Sequence, residues 1–548
     1  MAEDNMRLTF PALFGETLRR FGGKDAFAFA GEKPESYNEV NRDINSLTAF
    51  MEKLGIQPGD KVAILSHNMP NWGKAYFAVT FMGAVAVPIL PDFSITEVKN
   101  VLDHCGARAL FISSALLSRI EGYVSDTLET IINIEDYSTF HSGKSRISYD
   151  PSALPSRIYN VDEEDLASII YTSGTTGRSK GVMLTHRNIS FDALKGRKIQ
   201  WIDENDRFLS VLPLSHTYEN TLGLILPMLC GASVYYLRKP PTPSVLLPAL
   251  AEVKPTMMLT VPLIIEKIYF SKILPAFNDK VPMKMLYRIP PIRKLLNRAA
   301  GKKLMMTFGG ELKFFGIGGA KLNRTVERFL IEAGFPYAVG YGLTETAPLL
   351  AGSCPQKSVF ESTGPAIEGI ELKINDPDIV TGEGEIWARG ANVMKGYYRE
   401  PELTGEVLTT DGWFKTGDLG ILDKSNNLFI KGRLKNMIIG ASGENIYPEE
   451  IESVINNFRY VVESLVIQKK GKLVALVHFN MEELEKKYQT LKEDVARQLE
   501  IRIEEILREL HIYVNANVSK FSQIHKVVLQ PFPFQKTATL KIKRFLYT

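Results

Sequence analysis

Residues 171–186 combine glycine, hydroxyl and cationic side chains in one short stretch, YTSGTTGRSKGVMLTH. Glycine lets a backbone turn through positive φ and approach a ligand closely. Successive backbone N–H groups, with hydroxyls and cations beside them, can hold an anion such as phosphate. An ordinary surface loop is the alternative, because glycine, serine and threonine mark loops in general. The Walker A spacing of the P-loop kinases is absent, so the pattern favours a phosphate loop of another kind.

The elements before this stretch must position it. Residues 166–170 are apolar and predict a buried strand that ends at Tyr171. Strands and helices alternate through the first 150 residues, which predicts α/β layers around a mostly parallel sheet. Such sheets bind ligands where their strands end. The predicted strands cover residues 61–65, 85–90, 109–112 and 130–134, and the predicted helices cover residues 37–54, 71–82 and 95–105.

The chain after the loop continues with a helix over residues 185–198 and a strand that begins at Arg207. That strand leads to a polar cluster, which consists of His216, Tyr218, Glu219 and Asn220. His216 could be either a buried, hydrogen-bonded histidine or a residue that contacts a ligand.

Residues 271–303 are rich in Lys, Arg, Pro and Met, without clear periodicity. We predict an irregular, partly helical insertion there. This insertion is either an ordinary surface segment or a segment that borders an apolar entrance to the site. Its cations could also favour an anionic membrane surface.

Strands that run into glycine turns are predicted over residues 314–320 and 337–345. A smaller antiparallel sheet follows from residue 371 onward, and a domain boundary is expected just after Arg433. Residues 434–548 then predict a smaller α+β domain. Its last thirty residues hold five lysines, one arginine and no acid.

Composition limits the class of protein. A chain of 548 residues with 45% hydrophobic and 23% charged residues is expected to be a globular enzyme of at least two domains. A net charge of +3 gives no reason to expect nucleic acid. Three cysteines without paired spacing and an N-terminus unlike a signal peptide predict a cytoplasmic location. The longest uncharged run, residues 75–91, is too short and too interrupted to predict a membrane span.

Five motifs occur in one order: residues 171–181, GYGLTE at 340–345, Gly417-Asp418, Gly432-Arg433 and the basic tail at 537–544. This set resembles the adenylate-forming superfamily of acyl-CoA synthetases, luciferases and adenylation domains of peptide synthetases. Residues 212–216, 384–390, 394–398 and 443–450 are most similar to the long-chain fatty acyl-CoA synthetases. The resemblance implies a large domain over residues 1–433 and a mobile domain over residues 434–548.

The resemblance also implies a two-step reaction. A fatty acid carboxylate attacks the α-phosphate of ATP and releases pyrophosphate, and CoA then displaces AMP. The residues implied to bind the ATP phosphates are Thr172, Ser173, Gly174, Thr175, Thr176, Gly177 and Lys180.

Thr344 is implied to donate to the α-phosphate, and Glu345 to hold Mg²⁺, a cation that prefers carboxylate and phosphate oxygens. A helix N-cap for Thr344 and a surface acid for Glu345 are the alternatives. Asp418 is implied to accept hydrogen bonds from the ribose, with Arg433 assisting, although an aspartate after glycine is also typical of a turn. The other residues implied to surround the AMP moiety are Gly319, Ala320, Tyr341 and Gly342.

Lys541 matches the catalytic lysine of the family, whose ammonium stabilises charge on the α-phosphate and carboxylate. Many members have glycine before this lysine, whereas Leu540 stands here, so Lys543 and Lys536 remain alternatives. Lys435 matches the hinge at which the second domain rotates. The residues implied to face the acyl chain or CoA are His216, Gly318 and Gly443.

Two other functions stay open from the sequence. The acyl group could pass to an acyl carrier protein, or the chain could be a nucleotide-binding regulatory protein without activity. A homodimer and a peripheral contact with the inner face of a membrane are also left open.

Overall fold

Two mostly parallel sheets with helices around them form the large part of the chain. The computed structural model describes residues 6–142, 147–173, 179–278, 281–440, 445–482, 484, 495–537 and 542–547. The layered α/β architecture with a smaller antiparallel sheet, expected from the sequence, is confirmed.

The strands are numbered in chain order. They are β1 (Asp25–Phe29), β2 (Glu35–Ser36), β3 (Lys61–Leu65), β4 (Val85–Ile89), β5 (Ala109–Ile112), β6 (Thr130–Asn133), β7 (Thr139–Ser142), β8 (Leu166–Ser173), β9 (Ser179–Thr185), β10 (Arg207–Ser210), β11 (Ser233–Tyr236), β12 (Met257–Thr260), β13 (Phe314–Ile317), β14 (Tyr337–Val339), β15 (Tyr341–Gly342), β16 (Leu349–Ala351), β17 (Glu371–Asn375), β18 (Gly384–Arg389), β19 (Gly396–Tyr397), β20 (Phe414–Leu422), β21 (Leu428–Arg433), β22 (Ile438–Ile439), β23 (Asn445–Ile446), β24 (Val461–Lys469), β25 (Lys472–Phe479) and β26 (Lys526–Leu529).

The helices are numbered in the same way. They are α1 (Phe10–Phe21), α2 (Tyr37–Lys53), α3 (Pro70–Phe81), α4 (Ile95–Cys105), α5 (His186–Ile199), α6 (Thr217–Asn220), α7 (Leu226–Cys230), α8 (Pro243–Val253), α9 (Pro262–Ile268), α10 (Leu274–Asn278), α11 (Val281–Tyr287), α12 (Pro290–Thr307), α13 (Arg324–Ala333), α14 (Pro401–Val407), α15 (Pro448–Ile455) and α16 (Val495–Asn517).

The first large sheet has eight strands in the order β19-β9-β8-β4-β3-β5-β6-β7, and β8, β4, β3, β5 and β6 run parallel. The second has seven strands in the order β14-β13-β12-β10-β11-β1-β2, parallel except for β2. Strands such as β4, with sequence VAVPI, are buried along their whole length because helices cover both faces.

The phosphate-loop stretch joins two antiparallel strands. Strand β8 runs to Ser173, beyond the predicted end at Tyr171, and β9 returns beside it, so that Thr172 pairs with Lys180. Strands β8 and β9 therefore form an antiparallel pair at the edge of the parallel strands, and the sequence patterns did not indicate β9.

Residues 271–303 are more regular than predicted. A π-helical turn at Tyr269–Ile273 leads into α10, and α11 and α12 follow. The predicted helical part is confirmed, and the predicted irregularity is wrong for the described residues. Proline and exposed apolar residues hid the helical period, because little of this segment faces a core.

The smaller antiparallel sheet has the order β17-β18-β20-β21, and the C-terminal residues form a three-stranded sheet, β24-β25-β26, against α15 and α16. Within the described residues, no helix is long and apolar enough to cross a membrane.

Candidate functional site

Thr172 and Lys180 lie at the end of the β8–β9 pair that is next to residues 174–178. The two residues are register partners, and Ser173 pairs with Ser179 one step closer to the loop. Gly181 lies where a Cβ atom would meet the Ile169 side chain at 2.9 Å, so cross-strand packing requires glycine there. Gly174, Thr175, Thr176 and Gly177 lie outside the described residues.

Tyr397 connects this hairpin with Glu345. The Tyr397 hydroxyl donates to Glu345 Oε1 at 2.9 Å, and Lys180 Nζ lies 5.0 Å from the centre of the Tyr397 ring. Strand β19 pairs with β9, which fixes the ring beneath the lysine. Burial, with Glu345 beside it, raises the pKa of Tyr397, so the hydroxyl stays a donor.

The segment that carries Glu345 is a tight turn between β15 and β16. Thr344 is the first residue of a single-turn helix, Thr344–Thr346, and Leu343 holds the N-cap position, so the N-cap alternative for Thr344 is not what the structure has. The Leu343 amide donates to the Pro348 carbonyl at 3.0 Å. A Cβ atom on Gly342 would lie 1.8 Å from that same carbonyl oxygen. Glycine is therefore required at 342 by close approach of the backbone.

Two buried polar side chains hold this turn from below. Asn392 Nδ2 donates to the carbonyls of Thr346 and Leu349, each at 2.8 Å. Asp192 Oδ2 accepts from the Leu349 amide at 3.0 Å. Burial raises the pKa of the Asp192 carboxyl well above its usual range. Removing either side chain would leave buried backbone groups without partners, which is costly.

A second cluster lies at the start of the same turn. The Tyr341 hydroxyl donates to Asp418 Oδ2 at 2.8 Å, and Arg433 Nε lies 2.9 Å from Asp418 Oδ1. Asp418 and Arg433 face each other across β20 and β21, and Asp418 is 4% exposed. Burial and the Asp418 charge raise the pKa of Tyr341 well above its usual range, so it also stays a donor.

The glycine turn that follows β13 carries the next predicted residues and reaches the surface. Gly318 is buried, whereas Gly319, at φ +83°, and Ala320 are exposed. A Cβ atom on Gly318 would lie 3.1 Å from the Tyr218 ring. A residue without a side chain fits at 318 because the tyrosine ring packs directly against the backbone there.

His216 caps a short helix. Its Nδ1 accepts from the Tyr218 amide at 3.3 Å, at the N-terminus of α6. One ring nitrogen of His216 therefore has a structural hydrogen bond, as the hydrogen-bonded alternative expected. The helix aims Tyr218 at Gly316 and Gly318.

Glu219, on the same short helix, is a buried carboxyl group. Ser210 Oγ donates to its Oε1 at 2.5 Å, and Asn68 Nδ2 donates to Ser210 Oγ at 2.9 Å. Burial raises the pKa of Glu219 to about 8, which outweighs the hydrogen bond from Ser210. The side chain is therefore neutral in the folded protein at neutral pH.

An apolar cavity runs beneath Tyr218 on one face of the seven-stranded sheet. Its walls come from α5, β12 to β14 and the π-helical turn at Thr221–Ile225. They also include Gly340 and Leu349, which flank the β15–β16 turn. The wall side chains include Ile199, Phe208, Leu222, Met257, Leu259 and Phe314. The cavity has a volume of about 60 Å³, and its lining offers hydrocarbon contacts to an apolar group.

The expected hinge residue, Lys435, is exposed in a single-turn helix, Leu434–Asn436, directly after β21. Contacts cross this point: Tyr447 donates to Glu383 Oε2 at 2.7 Å, and Lys321 lies 3.6 Å from Glu450. The second of these joins α15 to the residue that follows Ala320.

Two of the predicted residues on the C-terminal part, Gly443 and Lys541, lie outside the described residues. Of the alternatives for the lysine, Lys536 forms an ion pair with Glu463, whose side chain is largely buried. Lys543 donates its backbone N–H to the Gln535 carbonyl at 2.8 Å.

Three side chains that hold the site were not predicted as site residues. In the sequence, Tyr397 was noted only as part of the similarity at 394–398. No motif included Asp192 or Asn392. A polar residue inside the apolar periodicity of α5 could have drawn attention to Asp192.

The residues fit Mg²⁺ carried by a nucleotide. In the described part of the chain, no three His, Cys, Asp or Glu side chains form a group that could hold a metal ion. Mg²⁺ usually binds one or two carboxylates together with phosphates and water. A carboxylate has about four lone-pair sites, so the bond from Tyr397 leaves Glu345 able to bind a cation.

Comparison with known proteins gives relatives along nearly the whole chain. A protein of Mycobacterium bovis named long-chain-fatty-acid–CoA ligase FadD15 is 30% identical, over 92% of this chain and 89% of its own. A chloroplast protein of Arabidopsis thaliana named long-chain-fatty-acid–[acyl-carrier-protein] ligase AEE15 is 26% identical, over 87% and 77%.

A solved structure shares the fold. O-succinylbenzoate coenzyme A synthetase of Bacillus subtilis, in complex with ATP and magnesium ion, superposes with a TM-score of 0.75 at 23% identity and covers 97% of this chain and 98% of its own. The family model described as AMP-binding enzyme matches residues 14–398, which include the hairpin, the turn at Glu345 and Tyr397. The chain therefore belongs to the AMP-binding enzyme family.

Proposed function

We propose that this protein activates a medium- to long-chain fatty acid with ATP and transfers the acyl group to CoA. In the first step a carboxylate oxygen attacks the α-phosphorus, the bond to the β-phosphate breaks and pyrophosphate leaves. In the second step the CoA thiol loses its proton, its sulfur bonds to the acyl carbon and AMP leaves.

One observation carries this proposal. The short stretch from Tyr341 to Glu345 contacts Asp418 at its first residue and Tyr397, below Lys180, at its last. A nucleotide lying along it would have its ribose at the buried carboxylate and its phosphates toward the hairpin. The α-phosphate would then lie near Thr344, which is the order that adenylate formation needs.

The hairpin would bind the departing pyrophosphate. Backbone N–H groups and hydroxyls of the loop, together with Lys180, would donate to the β- and γ-phosphates. The residues proposed for this are Thr172, Ser173, Gly174, Thr175, Thr176, Gly177 and Lys180. Thr344 would donate to an α-phosphate oxygen.

Glu345 would hold the Mg²⁺ that accompanies ATP. When bound, the ion neutralises phosphate charge that would otherwise repel an anionic carboxylate. The contribution of this chain is to fix the Glu345 carboxylate, through the Tyr397 hydroxyl and the clamped turn.

Asp418 would accept hydrogen bonds from the ribose hydroxyls, and Arg433 would hold its carboxylate in place. Gly319, Ala320, Tyr341 and Gly342 would border the adenine and the α-phosphate. The apolar cavity supports an acyl substrate with an apolar part, because its lining includes Gly340 and Leu349 on either side of the same turn. Gly318 and His216 flank Tyr218 at its wall.

We further propose that residues 434–548 move as a domain about Lys435. Lys541 would approach the α-phosphate for the first step, and the segment around Gly443 would admit CoA for the second. The exposed single-turn helix at Lys435 and the few polar contacts across it support such a motion.

The test is release of AMP that depends on CoA, measured over a series of acids from acetate to oleate. We expect activity with octanoate and longer acids. Activity confined to acetate or aromatic acids would contradict the fatty acid assignment and spare adenylate formation. No AMP from any acid, with either CoA or acyl carrier protein as acceptor, would contradict the enzyme assignment and favour a regulatory nucleotide-binding protein.

Transfer to an acyl carrier protein is the second candidate, since the Arabidopsis relative carries that name. Analysis of the products formed with CoA and with acyl carrier protein in parallel separates the two. Acyl-CoA as the main product supports the first candidate.

A further inference from the structure

The two helices α11 and α12 form an unusual part of the surface. Helix α11 has the sequence VPMKMLY, yet none of its side chains is buried. Helix α12 buries Asn297, Gly301 and Leu304. An apolar helix without a core contact would normally cost solvation free energy.

The inner face of α12 is firmly attached. Arg293 pairs with Glu332 at 2.6 Å, and Asn297 donates to the same carboxylate at 2.7 Å. Tyr287 of α11 donates to Asn297 Oδ1 at 2.9 Å. A Cβ atom on Gly301 would lie 2.6 Å from a backbone oxygen of α13, so the two helices are in close contact. The outer face is therefore presented on a rigid support.

The outer face is apolar and cationic. Val281, Met285, Leu295 and Met306 are 67%, 65%, 68% and 72% exposed. Leu295, Ala299, Lys302 and Met306 follow the helical spacing of three and four residues, and all four are exposed. The exposed cations of the two helices and of the link between them are Lys284, Arg288, Lys294, Arg298, Lys302 and Lys303.

Acidic residues are absent from this stretch of sequence. Residues 280–310 contain no aspartate or glutamate, while the whole chain is almost balanced, with 65 basic and 62 acidic residues. The positive charge is therefore local. Cations around protruding apolar side chains are typical of helices that lie on an anionic bilayer.

We propose that the outer face of α11 and α12 docks on the surface of an anionic lipid bilayer. Its cations meet the lipid phosphates, and Val281, Met285 and Leu295 enter the boundary between headgroups and acyl chains. A second copy of the chain fits this face poorly, because a two-fold contact would set its cations against each other.

This docking leaves the apolar cavity on the other side of the sheet. Phe315 of β13 belongs to the same buried cluster as Leu304 of α12, whereas Phe314 and Gly316 line the cavity. Successive residues of a strand point to opposite faces. The membrane contact therefore does not cover the cavity, and the inference does not depend on the proposed function.

The experiment is flotation of the full-length protein with vesicles. One set contains phosphatidylcholine alone, and the other contains phosphatidylcholine mixed with phosphatidylglycerol. We expect binding to the anionic vesicles, weakened by salt, because exposed charges are screened. Equal binding to both sets, or to neither, would overturn the proposal.

A charge-reversal pair locates the surface. We expect Lys302→Glu with Lys303→Glu to lower partition into anionic vesicles by about tenfold or more. Lys469→Glu with Lys472→Glu makes the same change of net charge on an exposed hairpin of the C-terminal sheet and serves as the control. Equal losses in both variants would mean that only net charge matters and would contradict this surface.

An apolar pair tests insertion. Val281→Ser with Met285→Ser is expected to weaken vesicle binding, whereas Ile379→Ser with Val380→Ser, at an exposed turn, is expected to leave it unchanged. Circular dichroism shows whether each variant is folded. Light scattering distinguishes a second copy as the occupant. A dimer that dissociates in the Val281/Met285 variant would overturn the proposal.

Discussion

The hydroxyl of Tyr397 lies 2.9 Å from Glu345 Oε1, while Lys180 lies over the ring of the same tyrosine. One side chain thus contacts both the proposed metal carboxylate and the strand that follows the phosphate loop.

Tyr397→Phe keeps the ring under Lys180 and removes the bond to Glu345. We expect the rate of acyl-adenylate formation to fall about tenfold, since a hydrogen bond to a charged group contributes roughly 1.5–3 kcal/mol. More Mg²⁺ should also be needed for half-maximal rate. Pyrophosphate release measured against Mg²⁺ concentration checks this. Tyr398→Phe is the control, and a similar loss in both variants would contradict the role of Tyr397.

Asp418→Asn removes the buried carboxylate that Tyr341 and Arg433 contact. ATP affinity should fall about 10- to 100-fold, because ribose hydroxyls and Arg433 lose a charged acceptor. Isothermal titration calorimetry measures this. Tyr341→Phe removes one donor and keeps the carboxylate, so its loss should be smaller. An Asn variant that binds ATP as tightly as the wild type would refute the assignment.

Gly342→Ala tests the close approach at Pro348. The added carbon would have to displace backbone, at about 1–3 kcal/mol of stability. Adenylate formation should fall by roughly tenfold or more, since small displacements of reacting groups are costly. Thermal unfolding and pyrophosphate release are the measurements. Gly405→Ala, where a Cβ atom meets open space, should keep both near the wild-type values.

Glu219→Gln concerns stability against pH. The pKa of Glu219 is raised to about 8 from its model-peptide value of 4.5, so the folded chain binds this proton more tightly than the unfolded chain. The stability that it contributes is complete below pH 4.5 and is lost as pH rises to about 8. The loss is at most about 5 kcal/mol, at about 1.4 kcal/mol per pKa unit.

Urea unfolding between pH 5 and pH 9 measures that loss, because this pH window covers most of the interval between the unfolded and folded pKa values of Glu219. The wild type should weaken with rising pH more than Glu219→Gln. The variant at the exposed Glu252, Glu252→Gln, should follow the wild type. Parallel curves for the wild type and Glu219→Gln would show that this carboxyl is not the cause.

Lys541→Ala is expected to abolish most acyl-adenylate formation, at roughly 3 kcal/mol or more of lost transition-state stabilisation. Lys543→Ala and Lys536→Ala should retain it. The ion pair of Lys536 with Glu463 gives that lysine a structural partner. Quenched single-turnover reactions with ATP and labelled fatty acid, without CoA, measure this step. Full activity in Lys541→Ala would transfer the role to another lysine.

Local patterns predicted the elements that have clear boundaries. The helix over residues 95–105 and the strands over 61–65 and 109–112 have the predicted bounds. Ser94 and Glu97 form a capping box, and Gly106 ends the helix in the left-handed region, so local chemistry sets both ends.

Contacts between distant residues were beyond such patterns. Asp192 and Asn392 are 200 positions apart, and Tyr397 is 52 positions from Glu345. Strand β9 begins with serine, lysine and glycine, which are not typical of a strand. Its place in the sheet is therefore determined by its pairing with β8 and β19. The motifs predicted which residues share a site, and the structure adds the tyrosine, aspartate and asparagine that hold them.

The turn from Tyr341 to Leu349 also bears on how the protein is synthesised. Its supports come from Asp192 earlier in the chain, and from Asn392, Tyr397 and Asp418 later in it. A growing chain that has passed residue 349 still lacks the partners that fix the turn. At the proposed site, a nucleotide would therefore stabilise a nascent chain only after Asp418 and Arg433 have left the ribosome, when most of the protein has already been made.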